Sequence, residues 1–167
     1  MRLLAALLIL FMMPSIHAYG QTPQYRSVLI DEKGQLHILL NSGRQILPPK
    51  LNLQIAFSDP LLSRDHRTVG WFAEYPDPGA ADPANRPYSG ELVLYRSGHS
   101  LRSFSTEQTF WSWQFANRDR DVAYCTGPTH GGAAECELRS LTSGHLRARW
   151  IPDDKVDPPA WAKDLRF

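Results

Sequence analysis

Period two, and not the helical period of 3.6, governs this sequence. Beyond residue 18, no stretch keeps a helical period over three turns. Instead, Trp111, Trp113 and Phe115 alternate with Ser112 and Gln114, and Leu146, Ala148 and Trp150 with Arg147 and Arg149. Ala134, Cys136 and Leu138 alternate with Glu135, Glu137 and Arg139. Alternation of this kind puts apolar groups on one face of a strand and polar groups on the other. Val28 to Ile30, Leu36 to Leu40, Val69 to Tyr75 and Leu92 to Tyr95 are further strands by their aliphatic, aromatic and β-branched content. Gly, Pro, Asn and Asp interrupt these runs at short intervals, so the pattern predicts an all-β, antiparallel fold.

The first 18 residues stand apart. Arg2 precedes an unbroken apolar run from Leu3 to Met13, followed by Pro14 and by small Ala18. This order marks residues 1–18 as a cleavable signal peptide, with cleavage near Ala18. The run is too short to span a bilayer as a helix, and no other run is longer. Cleavage takes 18 of the 167 residues and leaves 149. It also removes Arg2, so the formal charge falls from +1 to zero. A periplasmic or secreted chain is expected, with a β domain over residues 19–151 and a C-terminal tail over 152–167. Its balanced charge argues against binding nucleic acid by broad phosphate neutralisation.

Export gives the two cysteines a meaning, because disulfides persist in oxidising compartments. Cys125 and Cys136 enclose a segment with Gly127, Pro128, Gly131 and Gly132, and both flanks read as strands. A bridge there would staple a hairpin across its loop.

The chain is also self-similar. Ser42-Gly43-Arg44, Ser97-Gly98-His99 and Ser143-Gly144-His145 each follow a strand and precede a short apolar run. Leu62 to Trp71 aligns with Phe115 to Tyr124 at a shift of 53. A unit of about 46 to 55 residues made of four short strands has the size of a propeller blade.

Ser63-Arg64-Asp65-His66-Arg67-Thr68-Val69-Gly70-Trp71 resembles the TolB-type β-propeller repeat, with Arg64 in place of its Pro and His66 in place of its Gly. Ala116 to Tyr124 keeps only the tail of that motif. The stretch from Ile55 to Trp150 is similar to uncharacterised exported bacterial proteins with propeller-like repeats, most of all at Thr129-His130-Gly131-Gly132-Ala133. The resemblance implies a propeller-like stack of two to three four-stranded sheets and carries no activity with it. Two units cover about residues 55–104 and 110–150, and residues 25–47 give a partial one. Closed propellers have four or more blades, so this stack is either open or completed by a second copy. A β-sandwich is the alternative architecture.

Catalytic and cofactor motifs are missing. There is no nucleophile elbow, phosphate-binding glycine loop or His-Glu-x-x-His pair. His37, His66, His99, His130 and His145 are too dispersed to form a recognised ligand pair. Asp77, Asp82 and the Asp153-Asp154 pair lack the spacing of a calcium loop and read as solvated loop acids. Trp71, Trp111, Trp113 and Trp150 fall in strands and are assigned to the core. No catalytic residue, metal or cofactor is therefore expected.

Two loops remain, Pro76 to Ser89 and Thr126 to Ala133, which the repeat places between equivalent strands of neighbouring units. Loops on a rigid scaffold are where binding usually sits. Tyr88, Thr129, His130 and Gly131 are the candidate partner-binding residues. The expectation is an exported, non-enzymatic binding module for a protein or envelope component, acting through these rim loops. A periplasmic inhibitor or immunity protein that blocks a toxin or hydrolase is the alternative. A hydrolase using loop carboxylates is the second.

Overall fold

The computed structural model describes residues 24–77, 79, 81–82, 87–96, 99–128, 132–153 and 155–166, with the backbone alone at residues 99–101. These residues form eleven antiparallel strands and no helix. The expected signal peptide lies outside them.

Three meander sheets follow one another along the chain. The first holds β1 (Tyr25–Ile30), β2 (Leu36–Leu40) and β3 (Gln45–Ile46). The second holds β4 (Ala56–Leu62), β5 (Thr68–Pro76), β6 (Pro87–Arg96) and β7 (His99–Ser105). The third holds β8 (Thr109–Ala116), β9 (Asp121–Gly127), β10 (Glu135–Ser140) and β11 (Leu146–Trp150). The unit boundaries read from the repeat fall between these sheets. Two of the three sheets are four-stranded, as expected, and the first has three strands.

The sheets stack face to face. Tyr25, Leu36 and Ile38 of the first sheet pack on Phe57, Val69, Trp71, Ala73 and Val93 of the second. Phe72, Leu92 and Leu94, on the other face of the second sheet, pack on Phe110, Trp113, Val122 and Tyr124 of the third. The middle sheet is thus buried on both sides. This is why Thr68 to Ala73 reads as an almost continuous apolar run instead of alternating. Gly70 permits the closest approach, since a Cβ there would lie 2.4 Å from the Trp113 ring. Trp113 Nε1 then donates to the carbonyl of Asp59 (2.9 Å), in a β4 bulge where Asp59 has φ 45°.

The third sheet's far face is closed by the tail. Ala162 and Leu165 are buried against Ala123, Cys125, Cys136 and Leu138, with Trp161 half-buried beside them. Pro159 to Leu165 is wound into tight turns by the bonds Ala162 N–H to Pro159 O (2.8 Å) and Leu165 N–H to Ala162 O (3.1 Å). Residues 159–166 of the C-terminal tail therefore dock on the third sheet. Ser112 Oγ donates to Arg166 O (2.7 Å) and accepts from its N–H (2.8 Å).

The turns matched by the repeat alignment agree at one position, although Asn117 and Arg118 also have positive φ and their counterparts Arg64 and Asp65 do not. His66 and Asp119, matched by the 53-residue shift, both have positive φ (59° and 60°) in the turns β4–β5 and β8–β9. Asp65 N–H donates to Asp119 Oδ2 (3.0 Å), so these equivalent turns touch. Gly43 and Gly144, of two Ser-Gly signatures, have φ 82° and 73° in the turns β2–β3 and β10–β11. Glycine reaches that region without steric cost. Ser97-Gly98 lies outside the described residues.

Candidate functional site

The two ends of the stack differ. One end carries the short turns at 41–44, 63–67, 117–120 and 141–145. The other collects the long connections at 47–55, 77–86 and 128–134 together with the short one at 106–108. The rim loops expected from the sequence are the second-to-third-strand connections of neighbouring sheets, and both lie at this second end. Their bounds are narrower than expected. Pro76 ends β5, Pro87 to Ser89 begin β6, and Thr126 and Gly127 end β9.

Tyr88 consequently sits in a strand. It is half-buried opposite Tyr75, with ring centroids 6.2 Å apart. Tyr75 donates its hydroxyl to Glu91 (2.9 Å). Burial and that carboxylate push the Tyr75 phenol well above its ordinary range. Thr129, His130 and Gly131 lie outside the described residues. Cys125 and Cys136 form a disulfide, directly opposite each other in the β9–β10 ladder with Cα atoms 4.0 Å apart. Both are fully buried. The bridge closes the base of the hairpin loop, and such a bond indicates an oxidising compartment such as the periplasm or the cell exterior.

Between the second and third sheets, at this end, lies a cleft of about 410 Å3. Ser105, Thr106, Glu107 and Gln108 of the β7–β8 connection form one wall. Its floor is an ion-paired network. Tyr124 and Arg149 stand on either side of Glu137 in the β9–β10–β11 ladder, on the face opposite the disulfide. The Glu137 carboxylate accepts from the Tyr124 hydroxyl (2.7 Å), Arg139 Nε (2.6 Å) and an Arg149 terminal nitrogen (2.9 Å). Arg149 Nε also reaches Glu135 (2.5 Å). The Arg139 guanidinium lies 5.9 Å from the centre of the Phe104 ring and donates to Gly144 O (3.1 Å).

Burial works to raise the Glu137 carboxyl, but hydrogen bonds from Arg139, Tyr124 and Arg149 outweigh it and hold it below the ordinary carboxylate range. Burial and the Glu137 carboxylate push Tyr124 up. At neutral pH the network is an ionised acid, a neutral phenol and two guanidiniums. A carboxyl held low is a poor general acid, the opposite of the raised carboxyl that acid catalysis at neutral pH requires. The cleft offers preorganised donors and acceptors.

Sequence reasoning missed this floor. Its signal was present in the alternation of Glu135, Glu137 and Arg139 and of Arg147 and Arg149, which reads as a solvent face. Tyr124, Arg139 and Arg149 close around Glu137, so it is only 11 % exposed. Two other readings change. Asp77 is buried rather than solvated, and its Oδ1 accepts from Gly79 N–H (2.9 Å). Trp111 and Trp150 are half-buried instead of core, and Trp111 lines a second cavity with Asp59, Asp164 and Arg166.

The connection 47–55 adds apolar character to the same end. Leu47, Leu51 and Leu53 are 55 %, 37 % and 75 % exposed. Among the described residues, no group of three His, Cys, Asp or Glu side chains could hold a metal ion, and no helix is long and apolar enough to cross a membrane. No known protein family matches the chain, and no curated protein matches it.

Proposed function

We propose that this chain is an exported, non-enzymatic binding module that recognises a protein or envelope component through its loop-bearing end. One observation carries the reading: exposed leucines and a preorganised polar cleft converge at that end. Protein interfaces combine apolar groups with a satisfied polar surround, and the loop-bearing end supplies both, with exposed Leu47, Leu51 and Leu53 in the connection from the first to the second sheet and the Glu135–Glu137–Arg149 network on the third. The proposed surface includes Tyr88, and Thr129, His130 and Gly131 of the hairpin loop. The disulfide and the signal-peptide pattern support export.

The three sheets are, on this proposal, consecutive units of a propeller-like repeat. Support comes from the matched positive-φ turns and from the Ser-Gly turns, which join the last two strands of the first and third sheets. By that match, the first sheet lacks the first strand of a unit. Three units are fewer than a closed ring needs. Sedimentation of the purified chain distinguishes an open monomer from a ring completed by a second copy.

Capture from an envelope extract tests the binding proposal. The native chain is compared with a variant carrying His130→Ala, Leu51→Ser and Leu53→Asn, with residues 77–86 shortened to a tight turn. Circular dichroism and an intact disulfide establish that both fold. Loss of a specific partner in the variant is expected, and an unchanged set of partners would overturn the proposal.

A further inference from the structure

The charge balance read from composition conceals a separation in space. Among the described residues, the end opposite the candidate site is built from short turns and the start of β1, and the Lys and Arg residues in its turns are all arginines. Arg44 lies in the β2–β3 turn, Arg64 and Arg67 in β4–β5, and Arg118 and Arg120 in β8–β9. All five are exposed. None forms an ion pair among the described residues, and Arg120 alone uses its guanidinium, donating to Asn117 O (3.2 Å). Arg96, Arg102 and Arg147 flank the same end.

The acids at this end are Asp65, Asp119 and Asp121, and each is engaged locally. Asp65 accepts from Ser63 Oγ (2.7 Å) and Arg67 N–H (3.0 Å). Asp119 accepts from Asp65 N–H (3.0 Å). Asp121 is buried, bonded to Asn117 (2.6 Å) and paired with Arg147 (2.5 Å). Lys33 and Lys50 lie at the other end, among Asp31, Glu32, Asp82, Glu107 and Glu135. The chain carries a formal net charge of only +1, yet its unpaired arginines gather at one end.

Shape narrows the partner. Stacked sheets sit about 10 Å apart, so the arginines of three sheets spread over about 20 Å. Every described turn here is short, so the arginines are carried on four- and five-residue turns of neighbouring sheets. An array of guanidiniums suits an array of phosphates, because the planar guanidinium fork matches phosphate oxygens two at a time. A concave groove, which would follow a nucleic-acid strand, is not formed by these turns. We propose that this arginine-bearing end docks on a phosphate-rich lipid surface and holds the loop-bearing end outward. The inference is independent of what the loop-bearing end binds.

Co-sedimentation with vesicles tests it. The full exported chain is mixed with phosphatidylcholine vesicles, or with vesicles in which about a third of the lipid is phosphatidylglycerol. Binding is expected only to the anionic vesicles and is lost near 0.5 M NaCl, where screening shortens to a few ångströms. Each arginine at a lipid surface is worth about a fivefold gain in partition, so Arg64→Gln with Arg118→Gln lowers it about 25-fold. Neither side chain has a partner among the described residues, so the fold is retained. Lys33→Gln with Lys50→Gln removes the same charge from the other end and leaves partition unchanged. Equal effects of the two pairs would overturn the proposal. So would tighter binding to a DNA duplex at matched phosphate, or vesicle-free self-association at low salt that the arginine pair abolishes, which would make the partner a second copy.

Discussion

Removing the Cys125–Cys136 bridge tests how the loop-bearing hairpin is held. The two cysteines are 11 residues apart in sequence. The chain-entropy relation assigns a closed loop of this size about 3 kcal/mol at 25 °C. Cys125→Ala with Cys136→Ala should therefore cost about 3 kcal/mol, plus about 1 kcal/mol for the space that the two sulfur atoms fill beside Leu138 and Ala162. For a domain of this length, the melting temperature drops by about 8 to 16 °C. Urea unfolding followed by circular dichroism gives the free energy. The wild type unfolded in the presence of reductant isolates the cross-link, because the thiols remain. It should lose the first amount and not the second. A double variant within 0.5 kcal/mol of the wild type would refute the claim that the bridge holds the hairpin.

Three other changes probe the stack. Tyr124→Phe removes a hydroxyl donor from ionised Glu137, at a cost of about 1.5 to 3 kcal/mol at neutral pH. Glu137 is held low in the folded state, so its contribution is complete above the ordinary carboxyl range and disappears as pH falls through the folded value. The variant should thus unfold at higher pH in an acid titration, and its difference from wild type should shrink once pH falls below the ordinary carboxyl range. Gly70→Ala places a methyl 2.4 Å from the Trp113 ring and should destabilise by about 1 to 3 kcal/mol, with a shift in tryptophan fluorescence. Leu165→Ala opens the cluster under the third sheet and should cost about 2 to 3 kcal/mol in urea unfolding, or nothing if the tail is not docked.

What is legible in the sequence follows from burial. β8 and β10 alternate apolar and polar residues in sequence, although the third sheet is covered on both faces and Glu137 is buried between Cys136 and Leu138. β5 is buried on both faces, and its β-branched and aromatic residues still mark it. β4 is hard to see because Asp59 and Pro60 interrupt it, and these residues make the bulge that receives the Trp113 indole. β7 is equally faint, with polar residues at most of its positions. The three sheets can be read because turn residues interrupt the chain between strands, as Gly43 and Gly144 do at positive φ in the turns β2–β3 and β10–β11. The cleft floor cannot be read, since alternation shows that Glu137 and Arg139 share a face and does not show which sheet covers it. The arginine face is hidden for the same reason. Composition sums charges that the fold places at opposite ends.

The central claim is recognition at the loop-bearing end, and hydrogen exchange of the chain with and without its captured protein partner tests it most directly. The account predicts slowed exchange at residues 47–55, 105–108 and 124–127 and at Glu135 to Arg139, with the turns 63–67 and 117–120 unchanged. Protection confined to those turns, or to the strands β4 and β8, would contradict it.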